Sequence, residues 1–457
     1  INGFRYNYLA EATVHFDKAF DWGDNISVVA GATRQEFFVE RFNANASGFI
    51  SEETGTNSLQ SGTQSTYGIN TSSLPHSLVS FLGRLNYSWQ DRLLFTSTFR
   101  ADGSSRFGEN NKYGYFPSAA LAWKLTNEQF MQDQNIFSSL KLRTSWGQTG
   151  NQNIGNFNSL TTFSASSWPV IYGDEQYVIM NPTRMPNPDL KWETTSQTDV
   201  GLDYGFLEGR ITGSIDYFYR KTTDLLINYP VPSQTGFNSQ LANVGSLENK
   251  GWEFDVTSHN LTGNFKWTTN LNFSATTNEV LDLGKVDEII MGNLQFTPDI
   301  SIIRPGETMN SYYGYDVIGV WQEDDDFGLS KDGAQPGDLK YRDLNGDSTI
   351  TAEDRHIIGD PVPDFSWGMT NTFRIKNFGL SFYIHGVHGL DLLNNQMVDT
   401  YYPINFRRNK LAEPYVNRWT PENPSDKYPS FINPASQGAN SVNTRTVEDA
   451  SYVRLQN

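Results

Sequence analysis

The chain has 457 residues, of which 37% are hydrophobic and 14% aromatic, and its 34 Lys and Arg against 51 Asp and Glu give a net charge of -17. The acidic excess argues against nucleic acid as a partner, the aromatic content excludes a disordered chain, and the lack of cysteine excludes disulfides and thiolate chemistry. No run of about 18 apolar residues predicts a transmembrane helix, but a membrane-spanning β-strand needs only about 9–11 residues, every second one apolar.

Apolar and polar residues alternate with a period of two from near the start of the chain. The pattern predicts strands near 5–17 and 25–42, and it is clearest over 79–89. There Phe81, Leu85, Tyr87 and Trp89 share one side of the strand, while the other side is mostly polar. A short turn at 90–91 and a second alternating segment predict a hairpin.

The same alternation recurs along the rest of the chain. It predicts further strands near 93–100, 114–125, 139–148, 196–206, 211–220, 252–257, 265–274, 364–376 and 380–385. The total of about 13–14 strands, each with one apolar and one polar side, predicts an all-β antiparallel transmembrane barrel in partial form. The aromatic residues Trp89, Trp267, Tyr217 and Tyr219 fall near strand ends, where barrels carry aromatic girdles; core packing in a soluble sandwich is the alternative.

The connections alternate in length. Turns near 90–91, 207–209, 260–263 and 376–377 are short, whereas those near 43–76, 149–192, 223–248 and 391–447 are long and polar. Outer-membrane barrels combine short periplasmic turns with long extracellular loops. Counting strand directions makes 279–363 one large extracellular excursion, so the apparent strand at 309–320 is expected to belong to a loop.

One loop motif has the spacing of a calcium site. Oxygen-bearing side chains occupy positions 1, 3, 5, 7, 9 and 12 of a twelve-residue segment, namely Asp343, Asn345, Asp347, Thr349, Thr351 and Asp354. Position 6 is Ser348 instead of the usual glycine, and position 12 is Asp instead of Glu. The pattern predicts a structural calcium ion; the alternative is an Asx-rich turn whose side chains bind their own backbone.

The chain shows no pattern of a catalytic site. The carboxylates form no marked pair for glycoside hydrolysis, the six histidines have no metal-ligand spacing, and neither a nucleophile elbow nor a P-loop is present. The sequence therefore predicts a protein that is not an enzyme and requires no cofactor. Aromatic residues in long loops are candidate ligand contacts because sugar rings stack on aromatic faces, and loop packing is the alternative; they are Trp168, Tyr172, Tyr177, Tyr401 and Tyr402.

Five segments, spread in order over most of the chain, carry a resemblance to a known family. They are Arg100–Gly108 with Tyr115–Trp123, Leu142–Asn151, Asn187–Glu193, Asn243–Glu253, and Asp343–Asp347 running on to Ile358–Phe365; the terminal Tyr452–Asn457 is similar too. On these segments the chain resembles the SusC/RagA-like TonB-dependent outer-membrane transporters of Bacteroidetes-type bacteria. The whole chain, 1–457, then corresponds to the receptor β-barrel domain.

The resemblance implies a plugged barrel of about 22 strands in the outer membrane. It further implies import of glycan or peptide fragments, powered through TonB, with a SusD-like surface lipoprotein as a lid. The chain lacks an initiator Met at Ile1 and ends inside an apparent strand, so a barrel truncated at both ends is expected, with the TonB-contacting region missing. Two other functions stay open, a secreted β-rich glycan-binding protein or glycosidase and a passive porin.

Overall fold

The computed structural model describes residues 2–51, 53, 55–166, 170–294, 297–327, 333–402, 409–431 and 441–456. In these residues the chain is almost wholly strand and loop. The described residues contain two α-helices, α1 (Asn395–Thr400) and α2 (Ala412–Val416). No helix in the described ranges is long and apolar enough to cross a membrane.

The first half of the chain forms long strands separated by loops that contain short strands. In chain order the strands are β1 (Asn2–Ala19), β2 (Asn25–Asn45), β3 (Gly68–Ser73), β4 (His76–Trp89), β5 (Leu93–Ser104), β6 (Tyr113–Lys124), β7 (Phe137–Asn151), β8 (Phe163–Ala165), β9 (Val170–Tyr172), β10 (Glu175–Tyr177), β11 (Met180–Pro182), β12 (Glu193–Phe206) and β13 (Ile211–Thr223). Each predicted strand of this half is present, and most extend a few residues beyond the predicted bounds.

The second half repeats the pattern with longer excursions. Its strands are β14 (Leu226–Pro230), β15 (Ser239–Asn243), β16 (Ser246–Thr262), β17 (Phe265–Asp282), β18 (Ile289–Leu294), β19 (Thr297–Ile303), β20 (Ser311–Gly314), β21 (Val317–Val320), β22 (Leu339–Tyr341), β23 (His356–Gly359), β24 (Phe365–Ile375), β25 (Phe378–His388), β26 (Asp391–Leu393), β27 (Val447–Asp449) and β28 (Tyr452–Leu455). The main sheet has 14 strands, which confirms the predicted all-β fold class.

The chain divides into two compact units. The first unit comprises 1–132, 142–198 and 222–244, and the second comprises 133–141, 199–221 and 245–457. In the first unit, β1 pairs with β2, β2 with β4, β4 with β5, and β5 with β6, all antiparallel. The turn that joins β4 to β5 is only a few residues long, as predicted, and the turn that joins β1 to β2 is similarly short.

One face of the first unit's sheet is apolar and uncovered. Phe81 lies opposite Ala32 and Ala101, and Phe99 lies opposite Gly83, so these side chains share a face. Phe81 and Phe99 are each 51% exposed. A water-soluble sheet would bury such a row, so the exposed row is typical of a surface that meets hydrocarbon.

The short turns of the first unit are fixed by buried carboxylates. Asp24 accepts hydrogen bonds from the Tyr87 hydroxyl at 2.7 Å and from the Gln90 backbone N–H at 3.1 Å. Glu128 accepts from Arg92 Nε at 3.0 Å and from Trp123 Nε1 at 2.9 Å. These contacts hold each turn against the strand end beside it.

Because Glu128 is hydrogen-bonded to a charged partner, we expect the stability difference between the wild type and a Glu128 variant to depend on pH. The Arg92 guanidinium, followed by the Trp123 N–H, lowers the pKa of Glu128, and this outweighs the opposing effect of burial. Stabilisation by Glu128 is therefore present above its ordinary pKa of 4.5 and is lost as the pH falls through the lowered folded-state pKa. We expect Glu128→Gln to lower the thermal unfolding midpoint at neutral pH, and we expect this deficit to shrink as the pH falls below 4.5.

Glu208→Gln provides the matched control because Glu208 is exposed in another short turn. It should leave the midpoint unchanged at both pH values. A Glu128→Gln deficit that stays constant across the pH range would contradict a charge-dependent role for this carboxylate.

The second unit has the same two-faced sheet. Strands β16, β17, β24, β25 and β28 pair in that order, all antiparallel. Phe273 lies opposite both Phe254 and Trp367, and Trp252 on the same face is 49% exposed. The Trp252 ring packs on the Tyr217 ring, with centroids 4.9 Å apart. The predicted girdle residue Tyr217 therefore lies among other aromatic rings of the apolar face.

The long excursion between β17 and β24 forms separate small sheets. Strands β18, β19, β20 and β23 make one of them, and β21 pairs with β22 in another. The segment 309–320, expected to be loop structure, forms two short strands, β20 and β21, that lie outside the main sheet, while β17 pairs directly with β24. The extracellular location of 279–363 stays a prediction.

Candidate functional site

The polar face of the first unit's sheet lies opposite its apolar face. Arg84 Nε donates to Thr98 Oγ1 at 3.4 Å, and Thr96 Oγ1 donates to Asn86 Oδ1 at 2.9 Å. Because these cross-strand pairs are hydrogen-bonded to each other, the wall is ordered yet stays wettable. Such a surface suits a water-filled passage for polar solutes.

The second unit has an equivalent polar face. Asn270 Nδ2 donates to Thr257 Oγ1 at 3.0 Å. In the next pair on this face, His259 Nδ1 lies 3.1 Å from Thr268 Oγ1. Further along the sheet, the Tyr452 hydroxyl lies 3.2 Å from His385 Nδ1. This side is rich in hydroxyl, amide and imidazole groups, which bind polar ligands without requiring a particular charge.

The loops of the first unit enclose a hydrophobic cluster, here called the loop cluster, of Phe107, Phe116, Ile154, Leu190 and Trp192. Trp192 is 6% exposed; its ring centroid lies 4.8 Å from that of Phe107 and 5.4 Å from that of Phe116. Its indole Nε1 donates to the Lys112 carbonyl at 2.9 Å. Segments that carry the family resemblance are therefore brought together to stabilise long loops.

Two further residues of the same motif, Arg106 and Gly108, also hold the loops together. Arg106 Nε donates to Asn156 Oδ1 at 2.9 Å and its guanidinium donates to the Gln152 carbonyl at 3.0 Å, while burial lowers its pKa. A Cβ at Gly108 would lie 1.8 Å from the Pro188 carbonyl oxygen, so only glycine fits. The motif thus joins the loop after β5 to the loop before β12.

The predicted calcium loop is organised by its own backbone. Asp343 accepts from the N–H groups of Gly346 at 2.6 Å and Ser348 at 2.7 Å, with the Ser348 bond the main cause of its lowered pKa. Asn345 accepts from the Asp347 N–H and Asp347 from the Thr349 N–H. In the described part of the chain, no group of three or more His, Cys, Asp or Glu is placed to hold a metal.

The last two predicted ligand positions flank a short 3₁₀-helix, Ala352–Asp354, in which Thr351 is the N-cap and Asp354 is the last residue. Thr351 and Asp354 form a capping box there, and Asp354 accepts from the N–H groups of Leu344 at 2.9 Å and Thr351 at 2.8 Å. Asp354 is fully buried. Its role in this structure is to close the loop, and calcium binding stays a prediction.

Two of the predicted ligand-contact residues lie in an exposed hairpin. Tyr172 in β9 is 80% exposed and Tyr177 in β10 is 50% exposed; the two strands pair antiparallel. The Tyr177 hydroxyl donates to Glu175 at 2.8 Å. The structure leaves both rings accessible, whereas Trp168 lies outside the described residues.

The other two predicted contacts border one pocket of about 480 Å³ in the second unit. Tyr401 is half-buried and lies 6.1 Å from the Tyr428 ring, while Tyr402 is only 3% exposed and packs against Trp419 and Leu339. Burial raises the pKa of Tyr402 to about 12. The sequence reasoning missed the pocket's other lining residues, because they are single side chains in a loop without a motif: Met397, Asp426, Lys427, Tyr428, Arg445 and Glu448.

The family model described as "TonB dependent receptor-like, beta-barrel" matches residues 2–349. TonB-dependent receptor P26 of Formosa agariphila is 38% identical over 455 residues, covering 98% of this chain and 45% of the relative. TonB-dependent receptor SusC of Bacteroides thetaiotaomicron is 36% identical over 397 residues, covering 84% of this chain and 37% of the relative. The chain thus spans less than half the length of these curated relatives.

A solved structure, that of the RagAB peptide transporter, aligns with 99% of this chain and 48% of its own with a TM-score of 0.81 and 24% sequence identity. This likeness supports the barrel fold. TonB-dependent receptors are transport proteins of the outer membrane and are not enzymes, in agreement with the predicted location and the predicted lack of catalysis. The chain belongs to the TonB-dependent receptor-like β-barrel family.

Proposed function

We propose that this chain is the barrel wall of a TonB-dependent importer that carries oligomeric nutrients, either glycan or peptide fragments, across the outer membrane. One observation carries the proposal: each unit's sheet has an exposed apolar face backed by a hydrogen-bonded polar face. An apolar exterior suits lipid and a polar interior suits a passage for hydrophilic solutes. Family membership adds the energy source, TonB.

The pocket of the second unit supports an oligomeric ligand. Its volume of about 480 Å³ has room for part of an oligosaccharide or peptide, and its lining combines tyrosine rings with two acidic and two basic side chains. Such a lining can stack on a sugar ring or bind a peptide. The solved structure with the same fold, that of the RagAB peptide transporter, supports a peptide ligand, and the tyrosine rings of the pocket support a glycan.

A SusD-like surface lipoprotein completes the proposal as the lid. The exposed hairpin β9–β10, with Tyr172 and Tyr177, offers an accessible aromatic surface for such a partner or for the ligand. Contact with TonB would come from the part of the relatives that this chain does not align with. Lipid of the outer membrane would cover the apolar face.

Uptake by the full-length protein tests the function. We expect cells that carry it in the outer membrane to take up a fluorescein-labelled mixture of oligosaccharides or of tryptic peptides, and to lose uptake when TonB is deleted. Uptake that continues without TonB would support a passive porin. Recovery of the protein from the culture medium, with none in the outer-membrane fraction, would support a secreted binding protein.

The structural calcium ion is proposed from the spacing of residues 343–354 alone. Calcium that binds only the folded protein would raise its thermal midpoint by mass action. A rise with calcium over EGTA that disappears in Asp343→Ala would support the site. An equal midpoint with calcium and EGTA would contradict it.

A further inference from the structure

A polar notch interrupts the apolar face of the second unit. It consists of Ser258, Asn260, Thr269 and Asn371, with Trp267 beside them. Ser258 lies opposite Thr269 and Thr269 lies opposite Asn371, on the same side of the sheet as Phe254, Leu271 and Met369. At a comparable distance from the β4–β5 turn, the apolar face of the first unit carries Tyr87 and Phe95 instead.

A β-bulge builds this notch. The register of β16 against β17 shifts between His259 and Leu261, so Asn260 is an extra residue. Its side chain accepts a hydrogen bond from Ser258 Oγ at 2.8 Å and donates one to Thr269 Oγ1 at 2.8 Å. The bulge therefore brings an amide into a face that is otherwise apolar.

The hydrogen-bond directions leave the notch with spare donors. Thr269 Oγ1 donates to Asn371 Oδ1 at 2.7 Å, and Trp267 Nε1 donates to the same oxygen at 2.9 Å. The indole N–H can only donate, so the orientation of the Asn371 amide is fixed and its Nδ2 points elsewhere. Within the described residues, Nδ2 of Asn371 donates to no protein atom that the structure records.

The position of the notch matches the headgroup boundary of one leaflet. Asn371 is four residues from Ile375, the end of β24 at a short turn. This separation is roughly 13 Å along the strand, or roughly 10 Å along the membrane normal for a strand tilted by about 40°. Short turns mark the periplasmic side of outer-membrane barrels. Lipid ester groups lie at about this depth. Asn371 is only 6% exposed, and an amide donor without a partner at this depth would cost several kcal/mol.

A positively charged side chain, that of Arg210, lies at the turn between β12 and β13, beside the notch. Arg210 is exposed and its guanidinium donates to the carbonyls of His259 and Asn260, at 3.1 and 2.8 Å from Nη2. These bonds hold the charge next to the bulge and leave further N–H groups for an anion. Acyl chains could cover the rings of Trp267 and Phe373, which stack with centroids 5.6 Å apart.

We propose that this notch binds one glycerophospholipid of the periplasmic leaflet, with an ester carbonyl at the Asn371 amide and the phosphate at Arg210. The proposal requires the apolar face to meet lipid but does not depend on the solute that is transported. Charge and donor complementarity select a phospholipid, because its acceptors are a phosphate and ester carbonyls at two different depths. A neutral diacylglycerol has only the second of these.

Native mass spectrometry of the full-length protein tests the site. The protein is delipidated in dodecyl maltoside and titrated with palmitoyl-oleoyl phosphatidylethanolamine, with diacylglycerol of the same chains as a second probe. We expect a single phosphatidylethanolamine adduct on the wild type. We expect about tenfold weaker binding for Asn371→Ala and for Arg210→Ala, since each loses a hydrogen bond to the lipid.

Asn270→Ala is the matched control because Asn270 lies on β17 but on the polar face, where it donates to Thr257. It should bind the phospholipid as the wild type does. Arg210 is an exposed turn residue, so its variant tests the proposal even if Asn371→Ala folds poorly. Unchanged binding in Arg210→Ala, or equal affinity for diacylglycerol, would overturn the proposal, whereas the uptake experiment would stand unaffected.

Discussion

Trp192→Ala is expected to destabilise the loop cluster of the first unit by about 3–5 kcal/mol, the usual cost of removing a buried aromatic side chain. The substitution removes the ring that packs on Phe107 and Phe116 and deletes the donor to the Lys112 carbonyl. The Gly108 N–H, which donates to the Leu190 carbonyl at 3.0 Å, reports on the cluster. Its hydrogen exchange in the full-length protein should become at least about a hundredfold faster.

Trp22→Ala serves as the control for this experiment. Trp22 is 63% exposed and stacks on Phe20 at the short turn between β1 and β2, so its removal should leave Gly108 exchange as it is in the wild type. An unchanged exchange rate in Trp192→Ala would show that the family motifs do not hold these loops together.

Asp354→Ala is expected to open the loop at 343–354. The fully buried carboxylate accepts two backbone N–H groups, and leaving both without a partner should cost about 2–4 kcal/mol. Exchange of the Leu344 and Thr351 amides should then rise about thirtyfold or more. The measurement is hydrogen exchange of the same full-length protein without calcium, so it does not depend on the metal prediction.

Asp324→Ala is the matched control, because Asp324 is exposed in the acidic run Glu323–Asp326 of the same excursion. It should leave both amides protected. Equal protection of Leu344 and Thr351 in wild type and Asp354→Ala would mean that the loop is held by contacts other than this carboxylate.

The strands could be predicted because each has one exposed apolar face and one polar face. Apolar and polar residues therefore alternate along each strand, as in 79–89, and this alternation also predicts which residues share a face. The separate sheets between β17 and β24 were harder to predict, since short strands such as β20 and β21 carry too few residues to show a period. Their placement depends on pairing partners far away in the chain.

The candidate site was less predictable because its members are joined only by the fold. Tyr402 was an apparent loop aromatic, yet it is buried against Trp419, a contact that no local pattern reveals. The polar notch was hidden for a different reason: the bulge at Asn260 changes the side on which a polar residue emerges. The predictions for Tyr172, Tyr177 and Tyr401 as ligand contacts stay open.

The central claim is that one face of the sheet meets lipid and the other meets a wet interior. The chain contains no cysteine, and any cysteine elsewhere in the full-length protein is replaced by serine, so that a nitroxide label occupies a single position. The positions are Phe81→Cys and Phe273→Cys on the apolar face, and their neighbours Leu82→Cys and Asn272→Cys on the polar face. In proteoliposomes of the full-length protein, the first pair should be more accessible to oxygen and the second pair to a water-soluble nickel chelate. Nickel accessibility at Phe81 and Phe273 equal to that at Leu82 and Asn272 would contradict the account.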